Sequence, residues 1–334
     1  MACAYCFVKT NSGAKDMTPQ ELFAGLDYLV AQNKGANEIS VQWFGGEPLI
    51  RFDLMKIGDR YVAEKATEAG IDRVRFSVVT NGTILSDEML DHFEANQYSV
   101  GVSIDGMTNI NQVYRFKLNG APADEAILRN IARLTARKEI ETGAVLTATS
   151  ENIPNLPETV EYFVKQLQLK VISINHPIPN KDGWFVEGTQ LANQLFKARI
   201  KASALGARLY SVLDKIYQCL DRRRPDVYEH IKSGNGIIAA LMPRGKISVS
   251  SINFTEQKFI HPIEILNETP ELLSTYHKDL LSSQRCQSCP AMSVCGGPTP
   301  NDILTTGSNV PIVDHCNFYE RSLELVLWDD TGLQ

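Results

Sequence analysis

Long apolar runs are missing from this chain. None approaches the ~20 residues that a membrane-spanning helix needs. The first residues, which include Cys3 and Cys6, carry neither the basic n-region nor the apolar h-region of a secretory signal. A soluble, cytoplasmic protein is expected. An excess of either charge is missing too: Lys and Arg number 33, Asp and Glu 39, and the two signs are interspersed. The net charge of −6 marks no nucleic-acid or membrane surface. The longest basic run, Arg222-Arg223-Arg224, stops at Pro225 and reads as a helix end or a solvated stretch. Internal repeats and low-complexity segments are absent, which excludes a repeat architecture. Cysteine is nearly absent from the middle. Of seven, only Cys219 lies between the pair Cys3 and Cys6 and the group Cys286, Cys289, Cys295 and Cys316. Clustered cysteines in a cytosolic chain read as metal ligands before disulfides, whereas Cys219 reads as a buried apolar residue.

What is present is ordinary globular material. The 334 residues are 43% hydrophobic and 22% charged, enough for two domains or for one large barrel with an appendage. The first half alternates strand and helix signals. Thr18-Pro19-Gln20-Glu21 is a capping box with proline at the first helical position; it opens a helix with Leu22, Leu26, Leu29 and Val30 on one face. The pattern then predicts strands over 38–43, 74–80, 98–103, 143–149 and 171–175. Helices over about 53–68, 124–136 and 156–167, and a short one capped by Ser86, alternate with them. Such alternation implies right-handed βαβ units and a parallel sheet, open or curled into a partial barrel. Functional residues then gather at the carboxyl ends of the strands. Those ends read Trp43-Phe44-Gly45-Gly46-Glu47, Thr80-Asn81-Gly82 and Ser103-Ile104-Asp105-Gly106. After about Pro179 the pattern turns helical, from about Leu191 to Ile231. Two short strand-like segments follow, 237–242 and 246–251, joined by Pro243-Arg244-Gly245 as a hairpin turn.

Met1-Ala2-Cys3-Ala4-Tyr5-Cys6-Phe7 holds two cysteines at a spacing that also serves zinc knuckles and redox dithiols. An aromatic sits inside the pair and another follows. Gly45-Gly46-Glu47-Pro48 joins glycines, which allow close backbone approach, to a carboxylate suited to a cation; alone it is equally a strand-to-helix turn. With these residues the chain resembles the radical S-adenosylmethionine (SAM) superfamily, whose motif is C-x3-C-x2-C. Cys3 and Cys6 match the second and third cysteines, and the first is expected two positions upstream of Met1. The resemblance implies a catalytic 4Fe-4S cluster on these cysteines, with one iron open to the amino and carboxylate groups of SAM. It implies a reaction that splits SAM into methionine and a 5′-deoxyadenosyl radical. It further implies that Gly45, Gly46 and Glu47 meet the methionine ammonium. Ser103 and Arg115 would hold the carboxylate, and Tyr5 and the backbone near Ile172 would flank the adenine. Asn81 reads as a lining of the site or as a simple turn. Asp105 belongs to the same strand-end fabric.

In the last third, Cys286-x2-Cys289-x5-Cys295 is followed by Gly296-Gly297 and later by Cys316. Four soft ligands suit an iron–sulfur cluster or zinc. The pattern resembles the SPASM domain, which follows the radical SAM core in peptide- and protein-modifying enzymes. Three departures go together. Thr299 stands at the family's next cysteine, Ser250 stands where a cysteine follows a glycine (here Gly245) by five, and no cysteine precedes Gly245 closely. In that family the missing cysteines serve one auxiliary cluster and the four retained serve the other, so one auxiliary 4Fe-4S cluster is expected. Sulfatase-maturing relatives place an aspartate base where Ser251 stands. The wording Phe44-Gly45-Gly46-Glu47-Pro48-Leu49 is closer to maturases of ribosomally made peptides.

The expected architecture is therefore α/β: a partial (β/α)6 barrel over 1–185, a helical linker over 186–235 and an α+β SPASM-like domain over 236–334. The expected function is that of a radical SAM peptide maturase. It would abstract hydrogen from a ribosomally synthesised precursor peptide and install a crosslink or a carbon–sulfur bond. An external electron donor such as flavodoxin or ferredoxin would feed it, with no nucleic-acid or membrane partner. A sulfatase-maturing enzyme and an inactive, metal-stabilised peptide-binding scaffold are the alternatives.

Overall fold

Local signals decide where the elements begin. The computed structural model describes residues 1–6, 16–176, 186–221, 240–248, 260–268, 284–297 and 311–329. Through residue 176 it runs α1 (Pro19–Gln32), β1 (Glu38–Trp43), α2 (Phe52–Glu68), β2 (Arg73–Thr80), α3 (Asp87–Ala95), β3 (Ser99–Ser103), α4 (Thr108–Tyr114), α5 (Asp124–Thr135), β4 (Glu141–Thr147), α6 (Leu156–Lys165) and β5 (Val171–Asn175). Beyond it come α7 (Gly188–Ala204), β6 (Arg208–Tyr210), α8 (Val212–Asp221), β7 (Ala240–Met242), β8 (Lys246–Ser248), β9 (Ile260–Pro262), α9 (Ile263–Glu268), α10 (Gln284–Gln287), α11 (Met292–Cys295) and α12 (Val313–Leu327). None of the described helices is long and apolar enough to cross a membrane.

The caps act as the sequence predicts. The Thr18 hydroxyl accepts from the Glu21 N–H at 3.3 Å while the Glu21 carboxylate accepts from the Thr18 N–H at 2.8 Å, so two orphan donors of α1 are satisfied reciprocally. Ser86 accepts from the Met89 N–H and starts α3. The six-stranded sheet keeps chain order, β1-β2-β3-β4-β5-β6. β1 through β4 pair in parallel, with Glu38 opposite Arg73, Ser77 opposite Ser99 and Ser99 opposite Glu141. Each crossover thus advances one strand in the same direction, the winding of a partial (β/α)6 barrel.

The chain forms two compact units. One comprises Met1–Leu146, Glu161–Ser173 and Leu241–Lys246. Its core is built from Val78, Val100 and Val102 on strands and Leu26, Met55 and Ile131 on helices, all buried; each such side chain contributes about 1.5–3 kcal/mol on burial. Inside this layer sits the Asp59 carboxylate. Asp59 accepts from the Trp43 indole N–H at 2.9 Å and the Tyr98 hydroxyl at 2.6 Å, and His92 Nε2 lies 2.8 Å away. These bonds tie α2 to the end of β1, to α3 and to the start of β3. The other unit comprises Thr147–Val160, Ile174–Ala240 and Ile247–Gln334. There α12 packs along α7 and α8, and Arg321 Nε donates to Asn193 Oδ1 at 2.9 Å. Glu187 caps α7 by accepting from the N–H groups of Thr189 and Gln190.

Two elements had no clear sequence signal. α4 is seven residues of β-branched and Asn-rich sequence, a poor intrinsic helix former. β6 interrupts the stretch expected to be helical from about Leu191, and its three residues are too few to show a period. At the Pro243-Arg244-Gly245 turn, Arg244 (φ 69°) and Gly245 (φ 59°) are both left-handed, as a tight hairpin requires. The remainder of the predicted strand-like segments, at 237–239 and 249–251, lies outside the described residues, as do Pro179 and the Arg222-Arg223-Arg224 run. Replacing Asp59 by Ala strands the half-buried Trp43 and the buried Tyr98 donors. Urea denaturation should show a loss of about 3 kcal/mol or more.

Candidate functional site

The parallel register brings the carboxyl ends of β1, β2 and β3 side by side. β1 ends at Trp43 and the chain leaves it through Gly45, whose φ of 151° is open to glycine and rarely to other residues. Glu47 follows. Its Oε1 accepts from the Thr80 hydroxyl at 2.7 Å and the Leu49 N–H at 3.2 Å, and its Oε2 from the Asn81 N–H at 2.7 Å. A carboxylate offers about four acceptor positions, so three fixed donors leave one free for a further partner. Burial raises the Glu47 pKa, and the donors from Asn81, Thr80 and Leu49 pull against it. Asn81 is also a turn residue, its Oδ1 accepting from the Thr83 N–H and hydroxyl. Asn81 thus makes the turn, and its backbone N–H holds Glu47.

At the end of β3, Ser103 is half-buried and Asp105, two residues on, is fully buried. Arg115, at the carboxyl cap of α4, is buried as well. Its Nε donates to Asp105 Oδ2 at 2.7 Å and its Nη2 to Oδ1 at 3.1 Å, which leaves Nη1 without a partner among the described residues. Burial opposes the Arg115 charge, but the Asp105 carboxylate more than offsets it and the pKa is raised. The Tyr5 hydroxyl donates to the same Asp105 Oδ2, and the Arg115 guanidinium lies 5.3 Å from the centre of the Tyr5 ring. Cys3 is buried and Cys6 half-buried, and the Cys6 N–H bonds to the Cys3 carbonyl at 3.2 Å, closing a turn. Burial raises the Cys3 pKa, against the pull of Arg115. Ile172 is fully buried in β5.

Residues 1–165 match the model of the Radical SAM superfamily. Over these residues the chain belongs to the radical SAM superfamily. An uncharacterized protein of Methanocaldococcus jannaschii is 30% identical over 179 residues, 54% of this chain and 59% of that protein. A cysteine-type anaerobic sulfatase-maturating enzyme of Clostridium novyi is 26% identical over 172 residues, 50% of this chain and 45% of that enzyme. The chain spans about half the length of the curated relatives it matches. Native anSMEcpe, solved with bound AdoMet and a peptide, shares the fold, with a TM-score of 0.78 over 98% of this chain and 93% of that one at 16% identity.

The C-terminal cysteines form a second neighbourhood. The Cys289 N–H bonds to the Cys286 carbonyl at 3.2 Å and the Met292 N–H to the Cys289 carbonyl at 3.1 Å. Cys295 ends α11 just before the left-handed Gly296, and Cys316 lies in the first turns of α12. Burial pushes the Cys295 thiol up to about 12, and the other three cysteines add to the shift. Cys316 is raised by burial against the pull of Arg285. Cys289 is raised by burial and sits 3.7 Å from Glu320 Oε1. Among the described residues no three His, Cys, Asp or Glu side chains converge as ligands of a single ion. Four thiols within one another's electrostatic reach suit the donor set of an iron–sulfur cluster. Thr299, Ser250 and Ser251 lie outside the described residues.

Sequence reasoning missed Thr80 as a holder of Glu47. It also missed Asn111 and Asp124, buried behind Asp105, and no local sequence signal marks either. Gly82 sets the TNG turn, with φ 73° and only 2.7 Å between an added Cβ and Val102 Cγ1. Gly82→Ala should cost about 1–3 kcal/mol, read as a lower urea midpoint.

Proposed function

We propose that this chain is a radical SAM maturase that acts on a ribosomally synthesised peptide. The observation that carries the reading is the company kept at the strand ends. A carboxylate fixed by three donors (Glu47) stands just past the end of β1; a buried guanidinium with one nitrogen to spare (Arg115) is paired with Asp105 just past the end of β3 on the same sheet, and the Cys3–Cys6 turn bonds to it through Tyr5 and Asp105. An amino acid end-group carries a cation and an anion, and these two residues supply one partner for each. When bound, a reduced 4Fe-4S cluster and SAM supply a 5′-deoxyadenosyl radical able to take hydrogen from an unactivated C–H.

The chain's own residues have defined tasks in this reading. Cys3 and Cys6 contribute thiolates to the catalytic cluster. Glu47, with Gly45 and Gly46 leaving its approach open, receives the methionine ammonium. Arg115, with Ser103, receives the carboxylate. Tyr5 and the backbone at Ile172 border the adenine. Cys286, Cys289, Cys295 and Cys316 hold one auxiliary cluster. The peptide partner is supported by the peptide-modifying relatives, and an external electron donor follows from the need for a reduced cluster. The likeness to the Clostridium novyi enzyme favours a second reading, maturation of a sulfatase; Ser251, in place of the aspartate base, speaks against it.

The test uses the chain extended to carry a cysteine four residues before Cys3. Reconstituted anaerobically with iron and sulfide, then given dithionite and SAM, it should release 5′-deoxyadenosine; no release sinks the reading. Glu47→Gln should weaken SAM binding about 10–100-fold. Metal analysis should find about four irons and no zinc on Cys286, Cys289, Cys295 and Cys316. Stoichiometric zinc instead would favour an inactive scaffold. Hydrogen loss from a precursor peptide, set against formylglycine formation on a sulfatase peptide, separates the two maturase readings.

A further inference from the structure

Asp105 is the most heavily engaged buried carboxylate at the strand ends. Its side chain has no exposed surface, and it receives Arg115 in two-point contact together with the Tyr5 hydroxyl. Its main chain is held as well. The Asp105 N–H donates to Asn111 Oδ1 at 2.9 Å, and Asn111 Nδ2 donates to Asp124 Oδ1 at 2.9 Å. Asn111 and Asp124 are both buried. Asp124 starts α5, where the helix dipole favours a negative charge. Asp105 therefore has little freedom to move: its backbone is pinned from behind and its two oxygens are committed in front.

The groups in front belong to two different tasks. Arg115 is the residue assigned above to the SAM carboxylate. Tyr5 lies between the two cluster cysteines. The cysteine turn is bonded to the same segment through its backbone. The Ala2 N–H donates to the Phe116 carbonyl at 2.8 Å and the Ala4 N–H to the Tyr114 carbonyl at 2.9 Å, which sets Cys3 opposite Arg115. A buried ion pair brings little net stability once desolvation is counted. What it supplies here is a fixed angle between two groups that must act together.

We propose that Asp105 is a positioning residue that locks the Cys3–Cys6 turn to Arg115, so that cluster ligands and SAM-carboxylate donor are set as one unit. The proposal rests on the functional reading above for the names of those tasks. The tie itself is a property of the chain without any cofactor, and it can be tested there. Arg115 keeps Nη1 for a ligand because Asp105 takes Nε and Nη2, and the Tyr5 ring is held beneath the guanidinium because its hydroxyl is anchored on the same oxygen. Groups that orient a primary ligand in this way typically matter by about 10–100-fold.

Asp105→Asn removes the charge at constant shape, and Tyr5→Phe removes only the hydroxyl. In the metal-free chain, amide exchange at Ala4 should quicken about tenfold in both variants, while Val78 in the middle of β2 stays as protected as in the parent. Unchanged Ala4 protection in both variants overturns the proposal. If Asp105→Asn loosens Ala4 and Val78 alike, Tyr5→Phe decides: a selective rise at Ala4 upholds the tie and none overturns it. In the cluster-loaded protein, Asp105→Asn should raise the KM for SAM about tenfold with a smaller change in kcat; a loss confined to kcat contradicts a positioning role. Should the parent release no 5′-deoxyadenosine, the functional reading fails while the exchange result still judges the tie.

Discussion

The parallel pairing of β1, β2 and β3 in chain order is the constraint on which the rest of the first unit depends. Parallel strands all end on the same edge, so three loops far apart in sequence meet there. Glu47 meets Thr80 and Asn81, more than thirty residues away, only because Trp43 stands opposite Val78 and Thr80 opposite Val102. A slip of one residue would turn Phe76 and Val78 of β2 outward and would withdraw both donors from Glu47. The apolar burial that fixes the register therefore also fixes the electrostatics of the strand ends.

Polar groups placed in such an interior are costly unless they are paired. This chain pairs most of those near the site in connected sets. Asp59 collects Trp43, Tyr98 and His92 from its place on α2. Asp105 collects Arg115 and Tyr5 just past the end of β3, with Asn111 and Asp124 in support. The first set fixes where β1 ends and β3 begins. The second fixes the segment that leaves β3. Between them the loop bearing Gly45, Gly46 and Glu47 and the loop bearing Asp105 are held at both ends. Such support is what a site needs if its first contacts are to keep their geometry.

Much of this was legible in the sequence, and the reason differs from residue to residue. The caps at Thr18 and Ser86 are local, three residues from donor to acceptor, and the sequence predicts both. The strand ends at Trp43, Thr80 and Ser103 were legible because β-branched runs stop at glycine and asparagine. Arg115 was reachable only through a family resemblance, since by composition alone it reads as a surface residue; its burial depends on Asp105, ten residues earlier. Asn111 and Asp124 were not legible. Each resembles an ordinary solvent-facing helix residue until the fold turns it inward. α4 was missed for a related reason, because its helix is imposed by packing and by the Arg115 cap rather than by propensity.

The four C-terminal cysteines make a separate demand. Burial raises the thiol pKa of Cys295, Cys289 and Cys316, so bound metal ions would favour their thiolate forms. The central proposal nevertheless concerns the strand ends: Glu47 and Arg115 would receive the two charged ends of one amino acid group beside a cysteine-bound cluster. Electron paramagnetic resonance of the reduced, reconstituted protein, extended to carry a cysteine four residues before Cys3, tests this most directly. The account predicts that adding SAM changes the spectrum of one cluster in the parent, and that the change is lost when Glu47 is Gln and Arg115 is Lys. A spectrum indifferent to SAM, or a change that survives both substitutions, would contradict it.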